Sequence, residues 1–166
     1  MGDEDDRTAY VARYALESIP GEAATAALRR QLRKSEGDRL VGAISSLGNR
    51  RDSQSIDRLG RLATNEDPLV ARAAIHALRQ IGGQTALQTL VKAKIAPELM
   101  FDRLEAVAEL ATSVPDTEAV RVANEYLLRA VQDDQLPAPL RIAALNSAAD
   151  AAPQLRAVLG PRLPVL

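Results

Sequence analysis

The chain contains no cysteine and no tryptophan, and its 166 residues hold a single histidine, His76. Without cysteine there can be no disulfide, thiol nucleophile or thiolate metal site. One imidazole excludes a multi-histidine metal centre. Aromatics make up 2% of the chain, as Tyr10, Tyr14, Tyr126 and Phe101. No apolar run approaches the ~18 residues of a membrane span. The acidic opening Met1-Gly-Asp-Glu-Asp-Asp has no apolar core and is not a secretory leader. Asp6 stands where myristoylation would require Ser or Thr. These absences predict a cytoplasmic chain with no membrane partner. Charge of one sign is also missing, since 21 Lys and Arg face 22 Asp and Glu for a net charge of −1. That balance argues against a dedicated nucleic-acid protein.

What is present is helical vocabulary. The chain has 30 Ala and 23 Leu, almost a third of all residues, whereas strands favour Val, Ile, Thr and aromatics. A chain of this length buries about two-thirds of its unfolded surface, enough for a core without staples. Charge is unevenly spread: residues 1–27 sum to −4, residues 28–61 to +5 and residues 62–166 to −2.

Shifting the sequence by 31 residues superimposes related positions. Ala15-Leu16 falls on Ser46-Leu47 and Ala77-Leu78, Leu28 on Leu59 and Leu90, and Ala12 on Ala43 and Ala74. Ile19, Arg50 and Ile81 form another column, as do Gly21, Asp52 and Gly83. Each unit reads as two helices. In the third, Asp67 caps a helix that has Pro68 at its first position. Val70, Ala74, Ile75, Ala77, Leu78 and Ile81 keep helical spacing, and Gly82-Gly83 ends the helix through positive φ. Ala86, Leu87, Leu90 and Val91 form the second helix, closed by Pro97. The acidic column Asp5, Glu36 and Asp67 is expected to cap each first helix.

The spacing predicts units over about 5–35, 36–66, 67–97, 98–135 and 136–166. In the fourth, Asp116 is expected to cap the second helix after Val114-Pro115. In the fifth, a short helix is expected near 153–159, limited by Pro161 and Pro164. A two-helix unit cannot bury its apolar face alone, so stacked units must share a core. The expected fold is all-α: one domain over 1–166, a right-handed α-solenoid of about five two-helix repeats, with the second helices along the concave side.

The segment Asp67-Pro-Leu-Val-Ala-Arg-Ala-Ala-Ile-His-Ala-Leu-Arg-Gln-Ile-Gly-Gly resembles a HEAT repeat, and more narrowly the short bacterial HEAT-like repeats also found in phycobilin lyases. The resemblance is good in units one to three and loose in four and five. Its usual first-helix arginine appears at Arg72, Arg103 and Arg141, while Arg13 and Arg39 fall at other registers. The resemblance implies a protein-binding scaffold rather than an enzyme, and a chain that forms one part of a larger multidomain protein.

The sharpest candidate surface is the column Arg30, Arg61 and Lys92. Each lies two residues, about 200° of helix, beyond the buried-type column Leu28, Leu59, Leu90, and so should point away from the core. Arg29, Arg33, Lys34 and Arg58 flank it. Such a ridge suits an acidic partner or a phosphate backbone, although exposed helices also carry Lys and Arg for solubility alone. Glu125 breaks the column in unit four.

No catalytic set emerges. His76 has Arg72 and Gln80, not carboxylates, at helical i±4 and reads as a partly exposed surface residue. Asp102/Glu105/Glu109 and Asp133/Asp134 read as solvated acids rather than a metal or acid–base pair. There is no GxGxxG, P-loop, GxSxG or HExxH. No cofactor and no metal are expected. The favoured function is a non-catalytic protein–protein scaffold. A binder of anionic polymer ranks second, and a bilin-lyase-like accessory, supported by analogy alone, ranks third. The partner and the oligomeric state stay open at this level.

Overall fold

The computed structural model describes residues 2–114 and 118–151; for residues 2–6, 9, 150 and 151 it describes the backbone only. Among the described residues the regular structure is helical throughout, with no strand. By packing, the chain divides into two compact units, Met1–Gly82 and Gly83–Leu166.

The first unit holds α1 (Gly2–Ser18), α2 (Glu22–Lys34), α3 (Gly37–Asn49), α4 (Ile56–Leu62, entered through a 3-10 turn at Ser53–Ser55) and α5 (Pro68–Ile81). The first helices of successive repeats pack in order, α1 on α3 and α3 on α5, and α2 and α4 pack on the first helices of the repeats that follow them, α3 and α5. Leucine and alanine fill the core: Leu28, Ala43, Ile44, Leu47, Leu59, Ala74, Ile75 and Leu78 are fully buried. The Leu28/Leu59 and Leu47/Leu78 positions therefore mark the core as the spacing requires, whereas Ala12 and Ala15, in their own columns, are exposed and the Ile19/Arg50/Ile81 column is not buried. Small residues set the approach of α3 to α5. A Cβ at Gly48 would sit 2.9 Å from Ala77 Cα and 3.0 Å from Ala77 Cβ.

The second unit holds α6 (Gly83–Lys92), a 3-10 turn at Pro97–Leu99, α7 (Met100–Ser113), α8 (Glu118–Gln132) and α9 (Ala138–Ala151). Leu87, Leu90, Leu99, Leu104, Val107 and Leu127 form its core. The two helices of the third repeat thus fall in different units, with the division at the Gly82-Gly83 pair. Both glycines have positive φ, 79° and 80°, which ends α5 as the sequence predicts.

The acidic column behaves less uniformly than expected. Asp67 accepts a hydrogen bond from the Leu69 N–H at 2.9 Å and caps α5. Glu36 sits at the N-cap of α3 but makes no side-chain cap bond, because an extended glutamate cannot fold back as a short aspartate does. Asp5 lies inside α1, three residues beyond its start, and not at a cap. Asp116 and the helix expected near 153–159, with Pro161 and Pro164, lie outside the described residues. Aromatic side chains contribute little to the core, since Tyr10, Tyr14 and Phe101 are all more than half exposed.

Candidate functional site

The second helices of the first two repeats, α2 and α4, flank an open cleft of about 400 Å³. Arg29, Leu32 and Arg33 line it from α2, Arg58 and Arg61 from α4, and Gln54 and Ser55 from the turn that leads into α4. Amphipathic pattern puts the arginines there. Leu28 and Leu32 bury one face of α2, and Leu59 and Leu62 one face of α4. Residues one position off those leucines then border the gap between the helices, with the guanidinium on a long stem.

The four arginines do not have the same status. Arg29 is 15% exposed and its charge is already compensated. Its Nε donates to Asp52 Oδ2 at 2.7 Å, a second nitrogen donates to Asp52 Oδ1, and a third donates to Glu22 at 2.6 Å. Burial would push the Asp52 carboxyl up, but the Arg29 guanidinium and the Ser55 hydroxyl (2.5 Å) outweigh it and hold the carboxyl below its ordinary value. The same contacts raise Arg29 further, against the desolvation that opposes them. Arg33, Arg58 and Arg61 are exposed, and no side-chain hydrogen bond or ion pair with a described residue holds them.

The structure therefore regroups the expected ridge. Arg30, Arg61 and Lys92 are all exposed, as their offset from the buried leucines requires. Arg61 lines the cleft; Arg30 lies on α2 but is not among the residues lining it. Lys92 ends α6 in the second unit. Arg29 is a structural anchor of the cleft wall rather than an available cation. Asp52 was the residue that sequence reading passed over. Its signal was a carboxylate in a column otherwise occupied by Gly21 and Gly83.

The first-helix face of this unit carries a different chemistry. Arg13 donates to Ser46 Oγ at 2.8 Å, Ser46 donates to Glu17 at 2.7 Å, Asn49 donates to the same carboxylate at 2.7 Å, and Gln80 donates to Asn49 at 2.9 Å. This polar ladder ties α1, α3 and α5 together. A shallow groove beside it, about 380 Å³, is lined by residues that include Ser45, Leu69, Arg72 and His76. His76 is half-buried, and Arg79 donates to its Nδ1 at 3.3 Å. Arg50 closes the C-terminus of α1 by donating to the carbonyls of Leu16, Glu17, Ile19 and Gly21 at 2.7–3.1 Å.

In the second unit the repeat's first-helix arginine has a comparable structural role. Arg103 is buried, donates to the Leu90 and Val91 carbonyls at 3.0 and 2.7 Å, and stacks 4.4 Å over the Tyr126 ring. Burial lowers its pKa, and burial raises that of Tyr126. Arg141 pairs with Asp134 at 3.0 Å, while the Asp133 side chain accepts from the Gln135 N–H. Among the described residues no group of three or more His, Cys, Asp or Glu is arranged to hold a metal ion. No helix among them is long and apolar enough to cross a membrane.

Comparison with known families agrees with this repeat geometry. The HEAT-repeat family model matches residues 40–98, which covers α3 through α6 and the turn after it. The match is to HEAT repeats in general; the narrower likeness to phycobilin lyases is not part of it. Searches of curated proteins and of solved structures found no match. The 31-residue period and the family match together support HEAT-like repeats over residues 40–98.

Proposed function

We propose that this chain is a non-catalytic interaction scaffold that holds an acidic protein segment in the cleft between α2 and α4. HEAT repeats commonly mediate protein interaction, and the family is generally non-enzymatic. The observation that carries the proposal is the unequal state of the cleft arginines. Asp52 and Glu22 neutralise Arg29, whereas Arg33, Arg58 and Arg61 stand around the same cavity with no carboxylate of the described chain paired to them. A guanidinium fork matches a carboxylate in two parallel hydrogen bonds. Three of them along an open cleft suit several acidic side chains on an extended or helical segment.

The test is a titration of a fluorescent Glu/Asp-rich peptide into the full chain, beside a single-stranded oligonucleotide of equal charge, at low and moderate salt. The expected result is peptide binding that drops at least tenfold in the Arg33→Glu/Arg58→Glu/Arg61→Glu variant and is retained in Arg30→Glu/Lys92→Glu. Melting curves of both variants must match wild type. Failure of the peptide to bind, or binding indifferent to the cleft substitutions, overturns the proposal. Tighter binding of the oligonucleotide, with a steep salt dependence, instead selects the anionic-polymer reading.

A further inference from the structure

The cleft between α2 and α4 presents more hydrogen-bond donors than a carboxylate can accept. Four of its seven lining residues are arginines, and no carboxylate lines it. Asp52 shows the capacity of one carboxylate: it accepts twice from Arg29, once from the Ser55 hydroxyl and once from the Gln54 backbone N–H. One guanidinium and two smaller donors thus fill its four lone-pair sites, which lie in one plane. Arg29 is compensated in charge but not in donors. A guanidinium has five N–H groups. Three of those on Arg29 go to Asp52 and Glu22, and the other two have no partner in the described chain. The two carboxylates also hold that guanidinium in place, so its remaining donors are pre-ordered. Arg58 and Arg61 come from the opposite wall, and Gln54 adds an amide from the turn into α4. Donors therefore reach the cavity from α2, from α4 and from the turn, and not within one plane.

We infer that the segment held in this cleft is phosphorylated, and that the phosphomonoester of its modified side chain sits among Arg29, Arg58 and Arg61. The inference rests on the acidic-segment reading above and names the group that the cleft selects. A phosphomonoester carries roughly −1.5 to −2 charge at pH 7, on three strong acceptor oxygens. Arranged tetrahedrally about one atom, those oxygens can meet donors from both walls and the turn at once. A carboxylate brings one charge and one plane of acceptors. Like charges around a cavity repel, so negative charge concentrated at one point gains more there than the same charge spread along a peptide. Arg33, in the last turn of α2, borders the same cavity and suits a flanking carboxylate of the segment. A protein segment fits better than nucleic acid, because a backbone diester offers one charge and two free oxygens, and the net charge of −1 gives no long-range pull on a polyanion. It also fits better than a free phosphate, because an open cleft leaves part of the binding to contacts with the flanking residues.

The test is fluorescence anisotropy with the full chain and two labelled acidic peptides of one length. One has a central phosphoserine; the other has serine there and two further aspartates, which match the charge. The expected result is phosphopeptide binding about tenfold tighter than that of the charge-matched peptide. Arg58→Lys/Arg61→Lys keeps the charge and removes two forks, and should abolish most of that preference with an unchanged melting curve. Inorganic phosphate and free phosphoserine should displace the phosphopeptide only about a hundredfold above its Kd. Equal binding of the two peptides, both lost in Arg33→Glu/Arg58→Glu/Arg61→Glu, overturns this inference and leaves the acidic-segment reading standing. Binding of neither peptide overturns both. A preference that survives Arg58→Lys/Arg61→Lys overturns the inference by placing the phosphate elsewhere. Displacement by inorganic phosphate near the Kd of the phosphopeptide overturns it by making the ligand a small phosphate, and tighter binding of a single-stranded oligonucleotide of equal charge overturns it in favour of a polyanion.

Discussion

Asp52 holds Arg29 across the joint between the first two repeats, each carboxylate oxygen taking one guanidinium nitrogen. Asp52 follows α3 and Arg29 is on α2, so the pair ties one repeat to the next beneath the cleft. Both side chains are largely withdrawn from solvent, 5 and 15% exposed. A pair so placed is costly to break from one side, because the remaining charge stays in the wall.

The pair gives stability a defined pH dependence. Asp52 is held below its ordinary value of 3.8 in the folded chain, so its contribution is complete above that value. It is lost as pH falls below 3.8 through the folded-state value. Asp52→Asn is expected to cost about 2–3 kcal/mol at neutral pH. Its urea-unfolding free energy should also fall less than that of wild type between about pH 5 and about pH 2.5. Equal acid sensitivity of the two proteins would show that Asp52 is not the group responsible.

Arg50 is expected to secure the end of α1. It supplies donors to the Leu16 and Glu17 carbonyls that the end of α1 leaves unpaired, to the Ile19 and Gly21 carbonyls just beyond it, and to Thr25 Oγ1 at 2.9 Å. Arg50→Ala should cost about 1.5–3 kcal/mol. Hydrogen exchange should locate the loss, with faster exchange over the last turn of α1 and unchanged protection in α5.

Two glycines on the same helix should respond in opposite ways to alanine. A Cβ at Gly48 meets the Ala77 backbone, which cannot move without separating α3 from α5. Gly48→Ala is expected to destabilise by about 1–3 kcal/mol despite its better helix propensity. A Cβ at Gly42 meets only the Arg13 side chain, at 2.7–3.3 Å, which can swing aside. Gly42→Ala should be near neutral, and parallel thermal melts of the two variants check the contrast.

Leu78 tests the repeat register itself. It is fully buried on α5 at the third position of the Leu16, Leu47, Leu78 column. Leu78→Ala should cost about 2–5 kcal/mol in a urea melt.

Much of this fold was legible in one dimension because a repeat states its core several times. Leu28, Leu59 and Leu90 recur at one spacing, and all three are fully buried. Their offset alone puts Arg30, Arg61 and Lys92 at the surface. The glycine pair at 82–83 and the Asp67-Pro68 start were legible for the same local reason: backbone conformation and capping depend on neighbours in sequence. Departures from the repeat were harder to interpret. Arg50 interrupts an Ile19/Ile81 column and Asp52 a Gly21/Gly83 column; Arg50 meets its partners 25 to 34 residues away and Asp52 meets Arg29 23 residues away.

What the sequence determined by itself was the helical class, the repeat period, the buried columns and the basic character of the second helices, all set by local propensity and period. Which arginines remain available was decided only in three dimensions. Arg29 and Arg33 are equally charged and one helical turn apart, yet Arg29 is compensated by Asp52 and Arg33 borders the cleft without a partner in the described chain. Net charge and periodicity count both alike. The difference comes from the tertiary approach of a carboxylate, which burial makes strong and which no spacing along the chain encodes.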